Sequence, residues 1–154
     1  MSDKLSQKHL EDLLGQEIGL SDWMEITQER INDFADCTED HQWIHVDLEK
    51  AKKGPLKSTV AHGFLLLSLL PHLNWQIDIF NKEIKMAVNY GLDRVRFIHP
   101  VKPGDRIRSR SLLKTITKRG FRRVLLSVES TLEIEGKKKP ALVAELLVLV
   151  YLKI

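Results

Sequence analysis

A carboxylate, two imidazoles and a glycine lie in one stretch of this chain and together could carry out acid–base chemistry. Asp40 precedes His45 by five residues, and His62 directly precedes Gly63. A carboxylate and a neutral imidazole that face one water molecule can each accept a proton from it and return one to a neighbouring carbon. The segment 39–45 shows no helical apolar period, so we expect Asp40 and His45 on a loop that brings both side chains to one point.

The spacing of this pair also fits a simpler interpretation. In it, Asp40 caps a turn and His45 is a packing or surface residue. An Asp followed five residues later by a His is frequent by chance, so spacing alone favours the simpler interpretation.

Gly63 lies near the start of Val60–Trp75, a run that is apolar on nearly all sides and predicts a buried helix. Backbone N–H groups at a helix start are unpaired and carry the positive end of the helix dipole. A glycine there lets a substrate carbonyl approach closely, and its N–H can stabilise a developing oxyanion. In the alternative, Gly63 only eases helix packing. Pro71 is expected to kink or shorten the helix.

The histidines do not predict a metal centre. His41, His45 and His62 lack CxxC or HExxH partners, whereas a zinc site needs three or four protein ligands at recognisable spacing. We therefore expect no metal, and we expect His62 to form a local hydrogen bond that steadies the loop.

The second half of the chain changes from helical to strand periodicity. Alternating apolar residues predict four β-strands, and the last of them is apolar enough to be a central strand. Turns are expected at Pro103-Gly104, Arg119-Gly120 and Glu135-Gly136. The predicted strands are Ala87–Ile98, with a possible bulge at Gly91-Leu92, then Asp105–Thr117, Arg122–Ile134 and Ala141–Leu152.

A buried helix followed by long antiparallel strands indicates an α+β fold. The simplest packing wraps the curved sheet around the Val60–Trp75 helix, which is the arrangement called a hot dog. One sheet and one main helix leave apolar surface uncovered, so we expect a homodimer.

Length and composition set the class of protein. A chain of 154 residues predicts one domain, 1–154, and 43% hydrophobic with 29% charged residues is typical of a soluble globular protein. The N-terminal residues show no apolar signal-peptide region, and Phe64–Leu70 is too short to span a membrane. The single cysteine, Cys37, excludes an internal disulfide and fits a reducing compartment. These features predict a cytoplasmic protein that does not bind membranes.

The segment Lys114–Arg123 holds five basic residues around a turn. The favoured interpretation is a solvated hairpin tip, and the alternative is a site for the phosphates of a nucleotide-bearing substrate. Binding of nucleic acid is not expected, because the net charge is only +3 and no aromatic residues are interspersed among the basic ones.

Three separated blocks resemble the MaoC-like hydratases and dehydratases, in the branch that includes nodulation protein N-like proteins and R-specific enoyl-CoA hydratases. Their motifs cover about residues 20–110, and the layout covers the whole chain. The blocks are FADCTEDHQWIHVD, TVAHGFLLLSLLP and VNYGLDRVRFIHPVKPGDRI.

This resemblance implies a hot-dog fold, commonly a dimer, with the acyl chain in a tunnel beside the central helix. It places the catalytic acid–base pair on Asp40 and His45 and the amide that binds the thioester carbonyl on Gly63. Gln42 and His62 are expected to be substrate-binding residues beside Gly63. The implied reaction is (R)-specific hydration of a trans-2-enoyl thioester or the reverse dehydration. It needs no cofactor, since CoA, or acyl carrier protein, is part of the substrate.

Many R-hydratases have Asn-Pro where this chain has Gln42-Trp43. Gln42 can still form a local hydrogen bond, whereas the bulky Trp43 is expected to narrow the pocket.

Two other functions stay open. One is a hot-dog acyl-CoA thioesterase, although 60–75 contains none of the acidic residues such enzymes usually carry on the central helix. The other is a non-catalytic protein that binds acyl thioesters.

Overall fold

The structure, a computed structural model, describes residues 8–153 apart from the side chains of Asn81 and Glu83. Residues 8–12 are helical. The helices that follow are α1 (Gln28–Thr38), α2 (Trp43–Val46), α3 (Leu48–Lys53), α4 (Gly63–Trp75) and α5 (Asp78–Glu83). The strands are β1 (Glu17–Leu20), β2 (Met24–Glu25), β3 (Ile84–Phe97), β4 (Arg106–Gly120), β5 (Arg123–Ile134) and β6 (Leu142–Leu152).

All strands join one antiparallel sheet that packs on the apolar helix α4. The strand order is β1-β4-β5-β6-β3, with β2 also paired to β4. Side chains from α4 such as Leu66, Leu70 and Leu73 form a core cluster with Leu132 and Leu142 of the sheet. The predicted α+β hot-dog fold is confirmed, as are the four long strands and the inner position of the apolar strand β6.

The predicted bounds differ from the structure in two places. Helix α4 begins at Gly63 rather than Val60, because the N–H of Val60 bonds to Ile44 O at 3.0 Å and that of Ala61 to Val101 O at 2.8 Å. These bonds hold the chain extended up to the helix. Pro71 does not end the helix, which continues to Trp75.

The second difference concerns the turn between β4 and β5. The sequence predicted it at Arg119-Gly120, whereas β4 continues to Gly120, which pairs with Arg123. Phe121 and Arg122 therefore form the turn. The positive φ of 54° at Arg122 shows that a non-glycine residue takes the left-handed conformation there.

The apolar composition of α4 suggested a helix buried on all sides, but part of its surface is exposed. Leu70 and Leu73 are fully buried, whereas Phe64 is 69% exposed and Trp75 is 42% exposed. Strand β3, at one edge of the sheet, is exposed at twelve of its fourteen residues. An uncovered apolar face thus runs along α4 and β3. Within residues 8–153, no helix combines the length and apolarity needed to cross a bilayer.

Candidate active site

Asp40 lies just after the C-terminal end of helix α1. The Thr27 hydroxyl caps this helix by accepting a hydrogen bond from Arg30 N at 3.1 Å. The helix ends at Thr38, and the C-cap residue Glu39, whose φ of 61° lies in the left-handed region, turns the chain. The exposed Asp40 follows directly, and its Oδ1 lies 3.4 Å from the N–H of Gln42.

His45 lies on the short helix α2 and not on a loop as predicted. Its N–H bonds to Gln42 O at 3.0 Å, and Asp47 N–H bonds to Trp43 O at 3.0 Å. A helix of four residues is too short to show an apolar period, which explains the error. The His45 side chain is 7% exposed, so it is neither a surface residue nor freely mobile.

Hydrogen bonding defines the tautomer of His45. Its Nδ1 lies 2.7 Å from Val60 O, and because a carbonyl only accepts, Nδ1 carries the proton. Its Nε2 then keeps a lone pair that can accept a proton. Burial lowers the pKa of His45, the Val60 hydrogen bond opposes this, and nearby His62 lowers the pKa further while Asp40 raises it. The net direction is downward, which favours the neutral base.

His62 packs directly against this base. The rings of His62 and His45 are stacked with centroids 3.8 Å apart and an interplanar angle of 22°. Its Nε2 donates to the backbone carbonyl of Asp40 at 3.0 Å, which is the local hydrogen bond expected from the sequence. Within residues 8–153, the buried Nδ1 of His62 has no hydrogen-bond partner. His62 thus connects the segment that carries Asp40 to the ring of His45.

The structure brings Asp40, His45 and His62 together, with one nitrogen or oxygen atom of each within 4.8 Å of the others. Such a cluster could be taken for a metal centre. However, a zinc ion lies in the plane of each imidazole at about 2.0–2.1 Å from the nitrogen. Two rings stacked 3.8 Å apart cannot both meet that condition unless one turns. The arrangement therefore suits proton transfer better than coordination, and the absence of a metal stays a prediction.

Gly63 opens helix α4 next to this cluster. The preceding His62 occupies the N-cap position and supplies no side-chain cap to the first N–H groups. A Cβ at Gly63 would lie 2.9 Å from Phe97 Cε1, so glycine also lets the helix start pack closely against the Phe97 ring of β3. Both interpretations of Gly63, oxyanion donor and packing residue, are therefore compatible with the geometry.

Gln42 and Trp43 lie between Asp40 and His45 in the sequence, at the start of α2. Gln42 occupies the N-cap of α2, but its side chain forms no capping hydrogen bond. The Trp43 ring lies under Lys50 Nζ at 4.9 Å, and a Cβ on Gly54 would approach it to 3.1 Å. The indole thus packs the α2–α3 corner, and its predicted effect on the pocket is not evident in this geometry.

A groove runs between α4 and strands β3 and β6, and its lining residues were not named from the sequence. It consists of two adjoining cavities of about 330 Å³ and 270 Å³. Leu67 lines one of them, Trp75 lines the other, and the residues common to both are Pro71, Asn89, Leu146 and Val148. These residues are far apart in sequence, and the one signal that could have grouped them is the helical spacing of Leu67, Pro71 and Trp75. We call this the α4 groove.

The four basic residues nearest the β4–β5 turn form a patch that we call the basic tip, namely Lys118, Arg119, Arg122 and Arg123. Lys114 is not part of it, since its Nζ pairs with Glu145 at 3.2 Å. Arg123 pairs with Tyr151 near the end of β6, so the tip lies at that end of the strand. The candidate site adjoins Phe97, which pairs with Leu142 where β6 begins. The basic tip is therefore not part of its own chain's site.

Comparison with known proteins places the chain in a family. A family model described as "MaoC like domain" matches residues 9–135. The chain belongs to the MaoC-like family. This MaoC-like protein is 51% identical over 134 residues to 3-hydroxyacyl-thioester dehydratase Z of Mycobacterium tuberculosis. The aligned residues cover 87% of this chain and 88% of the relative. It is 45% identical over 142 residues to nodulation protein N of Rhizobium leguminosarum, covering 92% and 88%.

Solved structures agree with this assignment at the level of the fold. The (R)-hydratase from A. caviae involved in PHA biosynthesis superposes with a TM-score of 0.71 at 21% identity, covering 88% of this chain and 94% of that one. The family inferred from the three motif blocks is confirmed. The expectation of an enzyme of the hydratase and dehydratase type is also confirmed, whereas the roles of individual residues stay predictions.

Proposed function

We propose that this MaoC-like protein catalyses (R)-specific hydration of trans-2-enoyl thioesters to (3R)-hydroxyacyl thioesters, and the reverse dehydration. The observation that carries the proposal is the convergence of Asp40, His45 and His62 within 4.8 Å, next to the helix start at Gly63. The 51% identity to a protein named 3-hydroxyacyl-thioester dehydratase supports the substrate class.

In the proposed mechanism, Asp40 and His45 hold one water molecule. His45 Nε2 accepts a proton from it while the water oxygen attacks C3 of the enoyl thioester. Electron density moves to the thioester oxygen, where the Gly63 N–H and the positive end of α4 stabilise the charge. The carbonyl then reforms as the acid–base pair delivers a proton to C2. Water is added across the double bond, and no redox cofactor takes part.

His62 serves this mechanism as a positioning residue. Its Nε2 holds the backbone of Asp40, and its ring supports the plane of the His45 imidazole. Both catalytic groups are thereby fixed relative to one another, which avoids the cost of ordering them during the reaction.

The α4 groove fits the acyl chain of the substrate. From Gly63, helix α4 rises about 6 Å to Leu67 and about 18 Å to Trp75. The groove therefore begins about one turn beyond the proposed oxyanion donor and continues along apolar side chains of α4 and β6. A chain bound there would extend away from the reacting C2 and C3 atoms.

A second copy of this chain is the proposed partner. Among residues 8–153, no strand pairs with the outer edge of the 14-residue strand β3, and a long exposed edge is a template for pairing with another strand. The exposed apolar side chains Met86, Val88, Tyr90 and Leu92 lie on this strand. Pairing of two β3 strands would cover them together with the face of α4 that carries Phe64.

The activity is tested by following the ultraviolet absorbance of crotonyl-CoA. We expect the wild-type protein to remove the conjugated-enoyl band, and we expect Asp40→Asn and His45→Gln each to lower kcat by about 10²–10⁴-fold, as is typical of lost acid–base catalysis. Asp36→Asn and His41→Gln are matched controls, because Asp36 and His41 form a neighbouring exposed pair 2.8 Å apart.

A wild-type rate in Asp40→Asn would contradict the assigned roles. Thiol release from a saturated acyl-CoA would instead indicate a thioesterase. Binding of acyl-CoA without either reaction would indicate a non-catalytic protein.

A further inference from the structure

The basic tip is left unused by the mechanism above, although it is strongly charged and accessible. Lys118, Arg119 and Arg123 are exposed. Arg123 donates to the carbonyl of Arg119 at 2.8 Å, which holds the turn in a defined conformation. A rigid, positively charged turn suits an anionic group such as a phosphate.

Within one chain, this tip and the active site lie at opposite ends of the sheet. Gly63 contacts Phe97, which pairs with Leu142 at the beginning of β6. The tip lies beside Tyr151, nine residues further along β6. Nine residues of strand span about 30 Å. A substrate held at Gly63 would have to run along almost the whole strand to reach the tip of its own chain.

A second copy changes this relation. When two identical strands pair antiparallel about a two-fold axis, each end of one strand lies beside the opposite end of the other. For β3, pairing centred near Tyr90 and Gly91 brings Ile84 of one copy next to Phe97 of the other. Ile84 pairs with Leu152, at the sheet end that carries the basic tip. The tip of one copy therefore comes to the end of the assembly that holds the active site of its partner.

We propose that the basic tip of one copy binds the phosphates of the CoA whose acyl group occupies the active site of the other copy. The separation between the Phe97 end of β3 and the basic tip of the partner is three strand spacings, or about 14 Å. These spacings are from β3 to the partner's β3, then to its β6 and then to its β5. This is about half the separation within one chain. The inference rests on the proposed function and on the paired β3 strands.

Charged residues of both signs surround the active site within its own chain. The end of α1 beside the site presents the exposed acidic residues Asp33, Asp36 and Glu39, which disfavour phosphates. The same chain also has basic residues at this end of the sheet. They are Arg96, whose Nη1 donates to Val95 O at 2.7 Å, the exposed Lys138 and Lys139 between β5 and β6, and the exposed Lys50, Lys52 and Lys53 of α3.

The first test separates binding of the nucleotide from catalysis. Lys118→Gln/Arg119→Gln should raise KM for crotonyl-CoA roughly five- to thirtyfold at low salt, the effect of losing two exposed ion pairs, while kcat stays unchanged. KM for crotonyl-pantetheine, which lacks the nucleotide, should not change. Lys138→Gln/Lys139→Gln removes the same charge from exposed residues at the sheet end that carries the chain's own active site, and it should leave both KM values unchanged if the partner's tip binds the phosphates.

The second test asks which copy supplies the tip. A mixed dimer carries Asp40→Asn in one copy and Lys118→Gln/Arg119→Gln in the other, and two different affinity tags allow its purification. Its one active site keeps Asp40 and faces the unaltered tip of the Asp40→Asn copy. We expect wild-type KM for crotonyl-CoA and half the wild-type kcat per dimer.

Other results would overturn the proposal. A raised KM in the mixed dimer would mean that each chain uses its own basic residues, and an unchanged KM in the homodimeric tip variant would exclude the tip. If the tip substitutions raised KM only for acyl carrier protein thioesters, the tip would bind acyl carrier protein and not CoA. Calorimetry with free CoA gives a readout that does not require turnover. If the wild type binds CoA through the tip but shows no hydration, the proposed function fails and the tip assignment stands.

Discussion

At the scale of single residues, the site depends on how two histidines are held. His45 donates Nδ1–H to Val60 O at 2.7 Å and rests on His62 at 3.8 Å between ring centroids. Burial lowers the pKa of His45, because the charged imidazolium would lose its hydration there. The arrangement therefore keeps His45 neutral, with the Nε2 lone pair ready to accept a proton from water.

The pH dependence of the reaction tests this arrangement. Burial lowers the pKa of His45 below 6.5, so the base loses activity only when the pH falls through this lowered value. We expect the acidic limb of kcat/KM for crotonyl-CoA hydration to lie below pH 6.5. His62→Gln removes a neighbour that lowers the pKa of His45, so it should move the limb upward. Asp40→Asn removes a neighbour that raises this pKa, so residual activity should show a lower limb.

The acidic limb is expected to move in opposite directions in His62→Gln and Asp40→Asn. These opposite shifts distinguish an electrostatic effect on the pKa of His45 from a loss of local structure. A variant that merely loosened the loop would lower kcat/KM at every pH without moving the limb. An acidic limb above pH 6.5 in the wild type would show that His45 is not the base, or that its environment stabilises the imidazolium.

At the scale of elements, the start of α4 combines packing with a possible oxyanion donor. Gly63→Ala would place a methyl group 2.9 Å from Phe97 Cε1 and next to the backbone N–H proposed as the oxyanion donor. We expect kcat/KM to fall by about 10²–10³-fold, comparable to removal of one oxyanion donor. Thermal unfolding should change little, because Phe97 is 50% exposed and can move aside.

A second substitution separates the two roles of Gly63. Phe97→Leu gives the new methyl group room, so it should restore activity if glycine serves packing alone. We expect no restoration in Gly63→Ala/Phe97→Leu, since the methyl group still keeps the thioester oxygen from the amide. Recovery to the rate of Phe97→Leu alone would count against the oxyanion role.

At the scale of the whole molecule, the uncovered face of α4 and β3 predicts the assembly. We expect light scattering to give the mass of a dimer for the wild type. Val88→Lys/Leu92→Lys places charge on the exposed edge and should produce monomers with little hydratase activity, because charged residues block edge pairing. Leu48→Lys alters an apolar residue that is 57% exposed on α3, and it should stay dimeric and active. A monomeric, active wild type would contradict both the dimer and the shared nucleotide site.

The amino-acid sequence determined those features that depend on local periodicity or on motifs. Alternating side chains located β3 to β6, and the motif blocks singled out Asp40, His45 and Gly63, whose roles stay predictions. The sequence placed His45 on a loop, started α4 at Val60 and put a turn at Arg119-Gly120, because short helices, extended segments and strand ends have no period of their own.

The tertiary structure decided what depends on contacts between distant segments. The stacking of His62 on His45, the α4 groove and the edge position of β3 follow from strand order and long-range hydrogen bonds. The basic tip is the clearest case. Its residues were evident in the sequence, but only the pairing of β5 with β6 showed that it lies about 30 Å from its own site. Local patterns specify elements, whereas the distance between two sites depends on how the whole chain is packed.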